Sequence, residues 1–324
     1  MPSAEGRAYT SSRLTRNGPG GKALGSRSDR DVKDTAARVG APTLGVVGAG
    51  RAGTALSLAA TRAGYRVVAV SSRDPAGAGR LAASVGAGLR STPLAVVRSA
   101  DLTFLTVPDG VISVVAAEIA ARGPALREHS VVHCAASLGP EALGALRRIG
   151  ADVGVLHPLQ ALAGAGSADL LRGSYFRVEA DGHLEADLLQ LVDALGGQRI
   201  VVPESGRAVY HAAAVLVASG SVALLDRAVA LFEAAGVARD VARPALTALL
   251  HGTAANARAG DAAAALTGPA VRGDAATIAA HLRALAPYPD ARDLYVMLAV
   301  ETARLAGRDV AELGLAVAPM PQVA

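Results

Sequence analysis

The sequence predicts an α/β protein: an N-terminal doubly wound Rossmann domain followed by an all-α C-terminal domain. Three observations point there. The first is a glycine pattern, G-x-G-x-x-G, set between a short apolar run and a helical stretch within residues 43–64. The second is a series of β-branched runs, spaced so that helices fit between them, reaching to residue 202. The third is the loss of strand runs after Pro203, where alanine-rich helical stretches take over. At 324 residues the chain is long enough for two ordinary domains, and 51% apolar against 19% charged residues suffices for a substantial core.

Residues 1–41 read as a disordered basic tail, rich in Ser, Gly and Arg and without a sustained apolar period. This tail accounts for the whole formal charge of +4, since residues 1–40 hold eight Lys/Arg and four Asp/Glu. The remainder is formally neutral and lacks the basic face of a nucleic-acid binder, so nucleic acid is not an expected partner. Tryptophan is absent and aromatics reach only 3%, which also argues against base-stacking surfaces. Asp29, Asp31 and Asp34 spoil the pattern of a transit peptide, and no secretory apolar segment is present. The heavy use of Ala, Arg and Gly suits a bacterial chain. The single cysteine, Cys134, cannot form an internal disulfide, and a reducing cytoplasm is the expected setting.

The first domain is expected over 42–202. Thr43 to Val47 forms a buried strand that runs into Gly48-Ala49-Gly50-Arg51-Ala52-Gly53, then a helix from Thr54 to Arg62 closed by Gly64, then a second strand over Arg66 to Val70. This order is that of a dinucleotide-binding unit. Gly48 permits the tight turn, Gly50 lets a pyrophosphate approach the backbone, and Gly53 lets the helix pack on the sheet. The helix N-terminus offers free N–H groups and positive dipole to the phosphates. Where NAD-selective sites place an acidic residue, this chain has Ser71-Ser72-Arg73. Two hydroxyls and a guanidinium suit a 2′-phosphate, so NADP is expected in preference to NAD.

Further strands follow over Asp101 to Val107, Ser130 to Cys134, Ala151 to Leu156, Tyr175 to Val178 and Gln198 to Val202. Ligands of such a sheet gather beyond the C-terminal strand ends, which here carry Val107-Pro108, His133 with Ser137, and His157-Pro158. The second domain, over 203–314, is expected to hold helices at 205–235, 240–258, 274–285 and 290–307, with a short tail over 315–324. Ala208 to Leu225 contains no Asp, Glu, Lys or Arg and would pass as a membrane span by hydropathy alone. It is Ala-rich and holds His211, Ser219, Gly220 and Ser221, so it reads as a buried central helix at a homodimer interface.

Five separated motifs carry a resemblance: Val107-Pro108-Asp109, the His133/Ser137 strand end, Leu156-His157-Pro158-Leu159-Gln160, Tyr210-His211-Ala212-Ala213-Ala214, and the run Leu266 to Asp274. In this order they resemble the Rossmann-like/DUF2520 family, within the superfamily of pyrroline-5-carboxylate reductases, β-hydroxyacid dehydrogenases, ketopantoate reductases and prephenate dehydrogenases. The resemblance covers roughly residues 42–307. It implies the fold, a dinucleotide cofactor and an oxidoreductase, and leaves the substrate open.

The candidate chemistry follows from what is missing. β-Hydroxyacid dehydrogenases and ketopantoate reductases typically use a lysine of the helical domain as proton donor, whereas lysine occurs here only at Lys22 and Lys33. Histidine is the natural substitute. His211 interrupts an apolar helix and is the first candidate, with Asn256 beside it as a hydrogen-bond donor and His157 next, since His157-Pro158 resembles a substrate-bordering pair of prephenate dehydrogenases. Val107, Pro108 and His133 are expected on the cofactor side. Ser137, Thr267 and Arg272 are candidates for the substrate, Arg272 as a clamp for a carboxylate. Asp274 reads as a helix N-cap, and Cys134 as a small core residue. No histidine spacing suggests a metal site. The expected function is hydride transfer from NADPH to the C=O or C=N of a small carboxylate-bearing oxo acid or imino acid. The alternative is an NADP-binding sensor without turnover.

Overall fold

The computed structural model describes residues 40–258, 260 and 262–315. Residues 1–39 of the basic tail and the final stretch from residue 316 lie outside them. The chain from Ala41 onward forms one compact unit. Among the described residues the strands are β1 (Leu44–Val47), β2 (Val67–Ser71), β3 (Gly88–Leu89), β4 (Leu102–Leu105), β5 (Ser130–His133), β6 (Asp152–Pro158), β7 (Tyr175–Glu179) and β8 (Gln198–Ile200). The helices of this half are α1 (Arg51–Arg62), α2 (Pro75–Val85), α3 (Pro93–Val97), α4 (Ile112–Arg122), α5 (Gly144–Arg148) and α6 (Gly182–Ala194). After them come α7 (Arg207–Ala234), α8 (Arg239–Arg258), α9 (Ala262–Ala265), α10 (Pro269–Arg272), α11 (Ala275–Ala284) and α12 (Pro289–Leu305).

The strands join one sheet in the order β3-β2-β1-β4-β5-β6-β7-β8, which is the doubly wound pattern through β6. Neighbouring residues of each strand feed opposite faces. Val46, Phe104 and Val132 enter a core with Leu56 of α1 and Leu188 of α6. Val47, Leu105 and Val131 enter a second core with Ile112 of α4 and Leu146 of α5. Burial on both faces explains why these strands read as continuous apolar runs.

Two features of the sheet differ from the sequence expectation. The edge strand β3 has two residues, too few to leave a period. β7 runs antiparallel to β6, with His157 opposite Arg177, and β8 follows β7 in parallel. The long helices lie close to where they were expected, but α7 is not buried within the chain. Of its 28 residues only Val229 is buried. It packs on α8 through a small cluster of Val229, Ala242 and Leu246, and leaves Val209, Leu216, Val217 and Val222 exposed. A second small core gathers Ala270, Ile278, Ala299, Val300 and Ala303 from α10, α11 and α12.

Candidate active site

Strands β1 to β6 present their C-terminal ends along one edge, and the glycine loop opens it. Gly48 has φ +110°, and a side chain there would press on the backbone oxygen of Thr106 at 2.6 Å. Gly53 is equally constrained, since a Cβ would sit 2.1 Å from the oxygen of Gly48. Gly50 is different: a Cβ would meet nothing within 4 Å, so the space beside it is open. Gly50 is the N-cap of α1 and supplies no side-chain cap, which leaves the first-turn N–H groups free for an anion. Thr106 Oγ1 donates to the oxygen of Gly48 at 2.6 Å and clips the loop to the end of β4.

At the end of β2 the three expected residues divide. Ser71 is buried and its hydroxyl points away from solvent, Ser72 is half-buried, and Arg73 is exposed. Asp74 caps α2 by accepting from the N–H of Ala76. Val107 is half-buried and Pro108 exposed at the end of β4.

His133 is fully buried. Its Nδ1 accepts from the N–H of Ala135 at 3.2 Å, and its Nε2 bonds the oxygen of Gly139 at 2.9 Å. Both ring nitrogens hold the loop after β5. Its strand-end position is as expected, while its ring is turned into its own loop. Burial lowers its pKa, which suits a neutral ring. The loop keeps Ser137 half-buried, and Cys134 beside it has its thiol pushed up to about 12 by burial.

A concavity lies where β6 and α7 meet. A cavity of about 560 Å³ is lined by His157, Leu159, Gln160, Ile200, Tyr210 and His211, with further small residues of α7 to Ser219. His157 Nδ1 and the hydroxyl of Tyr210 share a hydrogen bond of 2.8 Å, with the rings edge-on. Burial, then the positive Arg177 and the neighbouring histidines, press the pKa of His157 down to about 4. The ring is therefore neutral near pH 7 and serves as a hydrogen-bonding partner rather than an acid. Burial raises the Tyr210 hydroxyl. His211 Nδ1 is shielded from solvent and has no partner among the described residues.

The structure thus brings His157 and His211 together, and adds Tyr210. It does not bring Asn256, Thr267 or Arg272 to this cavity within one chain. Asn256 is exposed on the last turns of α8, and Thr267 and Arg272 are exposed around α10. Asp274 is the N-cap of α11, its carboxylate accepting from Thr277. Residues that sequence reasoning passed over are Arg177, Glu179 and Arg207, and it gave Tyr210 a place in a motif but no role. A charged residue inside the apolar strand Tyr175-Phe176-Arg177-Val178 was the available signal, and Arg177 is completely buried. Among the described residues no cluster of three His, Cys, Asp or Glu side chains could hold a metal.

Comparison with known proteins agrees with this architecture. Residues 43–137 match the family model described as NADP oxidoreductase, coenzyme F420-dependent, and residues 174–302 match a domain of unknown function, DUF2520. A Bacteroides fragilis protein provisionally named an NADP oxidoreductase aligns at 26% identity and TM-score 0.67, over 82% of this chain and 98% of that one. A 1-pyrroline-5-carboxylate reductase of Streptococcus pyogenes shares the fold at 13% identity and TM-score 0.57, covering 82% and 99%. An imine reductase of a Pseudomonas species does so at 18% and 0.56, covering 85% and 99%. No curated protein matches the sequence. The chain is an oxidoreductase with a Rossmann region, and it carries a region that matches DUF2520.

Proposed function

We propose that this oxidoreductase reduces the C=N or C=O bond of a small carboxylate-bearing imino acid or oxo acid, with NADPH preferred over NADH. The observation that carries the reading is the meeting of His157, Tyr210 and His211 on one cavity at the strand edge that the glycine loop opens. The open space at Gly50 and the uncapped start of α1 fit a pyrophosphate, and exposed Arg73 with Ser72 fits a 2′-phosphate. When bound, NADPH supplies the hydride. The chain's own residues supply the rest. Neutral His157 fixes the Tyr210 hydroxyl in one orientation. His211, with an unsatisfied ring nitrogen, protonates the anion or nitrogen that develops as the double bond is reduced. The apolar wall of α7 limits water around these groups.

The reading also gives α7 a partner. Val209, Leu216 and Val217 are each more than 70% exposed, and this helix is long and apolar enough to cross a membrane by length and composition. Polar His211, Ser219 and Ser221 along it favour a second copy of this chain over lipid. Thr267 and Arg272, as carboxylate ligands, and Asn256 belong to the site only in that homodimer.

A spectrophotometric panel tests the function: imino acids and oxo acids are offered with NADPH, and loss of NADPH absorbance is followed. Turnover of at least one class is expected. NADPH binding without turnover of any member would replace the enzyme reading with that of a cofactor-bound sensor.

A further inference from the structure

Arg207 is the first residue of α7, and Tyr210 and His211 follow it by three and four positions, so all three share one helix face. The Arg207 guanidinium is nearly buried and grips two carboxylates. Its Nε and Nη2 donate to the two oxygens of Glu179 at 3.2 and 2.6 Å. Its Nη1 donates to Glu141 at 3.0 Å. Glu179 also accepts from Arg177, whose Nη2 donates to the oxygens of Ala135 and Leu138 at 3.0 and 2.6 Å. Glu141 accepts from the N–H of Gly139 at 2.9 Å. The bonds close a ring from the loop after β5, through β7, to the first turn of α7 and back.

Gly139 gives a second, steric observation. Its φ of −104° is ordinary, so the backbone does not demand glycine. A Cβ there would fall 2.2 Å from Nη1 of Arg207 and 2.3 Å from Glu141. The guanidinium occupies the space that any other residue would fill.

We infer that Arg207 is a positioning residue. Through Glu179, Arg177 and Glu141 it fixes the first turn of α7, and with it Tyr210 and His211, against the loop of residues 135–139 at the strand edge. This rests on the functional reading above in assigning Tyr210 and His211 to the chemistry. Two bidentate-capable guanidiniums on one carboxylate define direction as well as attraction, which a lysine ammonium at position 207 would not reproduce.

Two variants test it, Arg207→Lys, which keeps the charge, and Gly139→Ala, which displaces the guanidinium and removes no charge. Both are checked for melting temperature and NADPH affinity. With a substrate from the panel, kcat is expected to fall by about tenfold to 100-fold while the KM for NADPH stays within about twofold, as misplacement of reacting groups by an ångström does. Hydrogen exchange supplies a readout independent of turnover: residues 135–139 and 207–211 should both exchange faster in each variant, with β1, β4 and β5 unchanged. Normal turnover and normal exchange in folded Arg207→Lys would overturn the inference. If the native protein turns over nothing, the functional reading fails by itself, and paired acceleration or its absence in the two segments still decides the positioning role.

Discussion

The sheet half and the helical half of this chain solve the burial problem differently. In the sheet half, helices cover both faces and the strands are enclosed, with Leu44, Phe104 and Phe176 at 1% exposure or less. In the helical half two small clusters form apart from each other, and α7 leaves large apolar side chains such as Leu216 at 75% exposure. The sheet half is thus enclosed by its own contacts, while the helical half leaves one side of α7 open. The cavity lies on the border, one wall from β6 and the other from α7.

The comparison is broken most severely from the enclosed side. Phe104→Ala should cost about 3–5 kcal/mol, read as a drop in thermal or denaturant midpoint, because a well-packed core cannot collapse onto the void. A loss below about 1 kcal/mol would show that the sheet core is looser than its burial indicates. The next effect concerns pH. The unfolded chain protonates His157 near 6.5, whereas the folded chain does so only near 4. Stability is therefore full above pH 6.5 and declines as pH falls toward 4, by up to about 3 kcal/mol at about 1.4 kcal/mol per unit. Buried His133 contributes with the same sign. His157→Gln should flatten part of that decline, and unchanged steepness would show that His157 is not the group titrating.

On the α7 wall, His211→Gln should keep the fold and NADPH affinity while turnover falls by about 100-fold. Melting temperature measured beside turnover separates a proton donor from a structural histidine, because the latter loses stability and keeps activity. At the rim of the enclosed half, Arg73→Asp should remove an NADPH preference over NADH of about tenfold, near 1.4 kcal/mol, measured by titration of both nucleotides. Equal affinities in the native protein would contradict a 2′-phosphate site. The smallest effect on the single chain comes from its open face. Leu216→Asp should change chain stability by no more than about 0.5 kcal/mol, yet sedimentation should show the assembly reduced to monomers. An unaltered sedimentation coefficient would place the partner surface elsewhere.

What was legible in the sequence follows the same division. The glycine loop could be read because its demands are local: Gly48, Gly50 and Gly53 each answer to a turn, an opening or a close approach within six residues. The long helices were readable by length. Strand direction was not, since an antiparallel β7 has the same apolar pattern as a parallel one. His133 and His157 looked alike as strand-end histidines, and only the fold shows one turned into its own loop and the other toward Tyr210. The ring through Arg177, Glu179 and Arg207 joins residues up to 72 positions from the loop it holds, between Ala135 and Arg207, and no local period reveals it.

Helix α7 has a mechanical side as well. Its 28 residues span about 42 Å, and hydrogen bonds tie it to the sheet at one end, through Arg207 and Tyr210. A rod anchored so is a lever with its fulcrum beside the cavity. A tilt of about 5° there carries the far end through about 4 Å, for a rod of this length. The Tyr210–His157 contact therefore sits at the end of the rod that any such tilt displaces least.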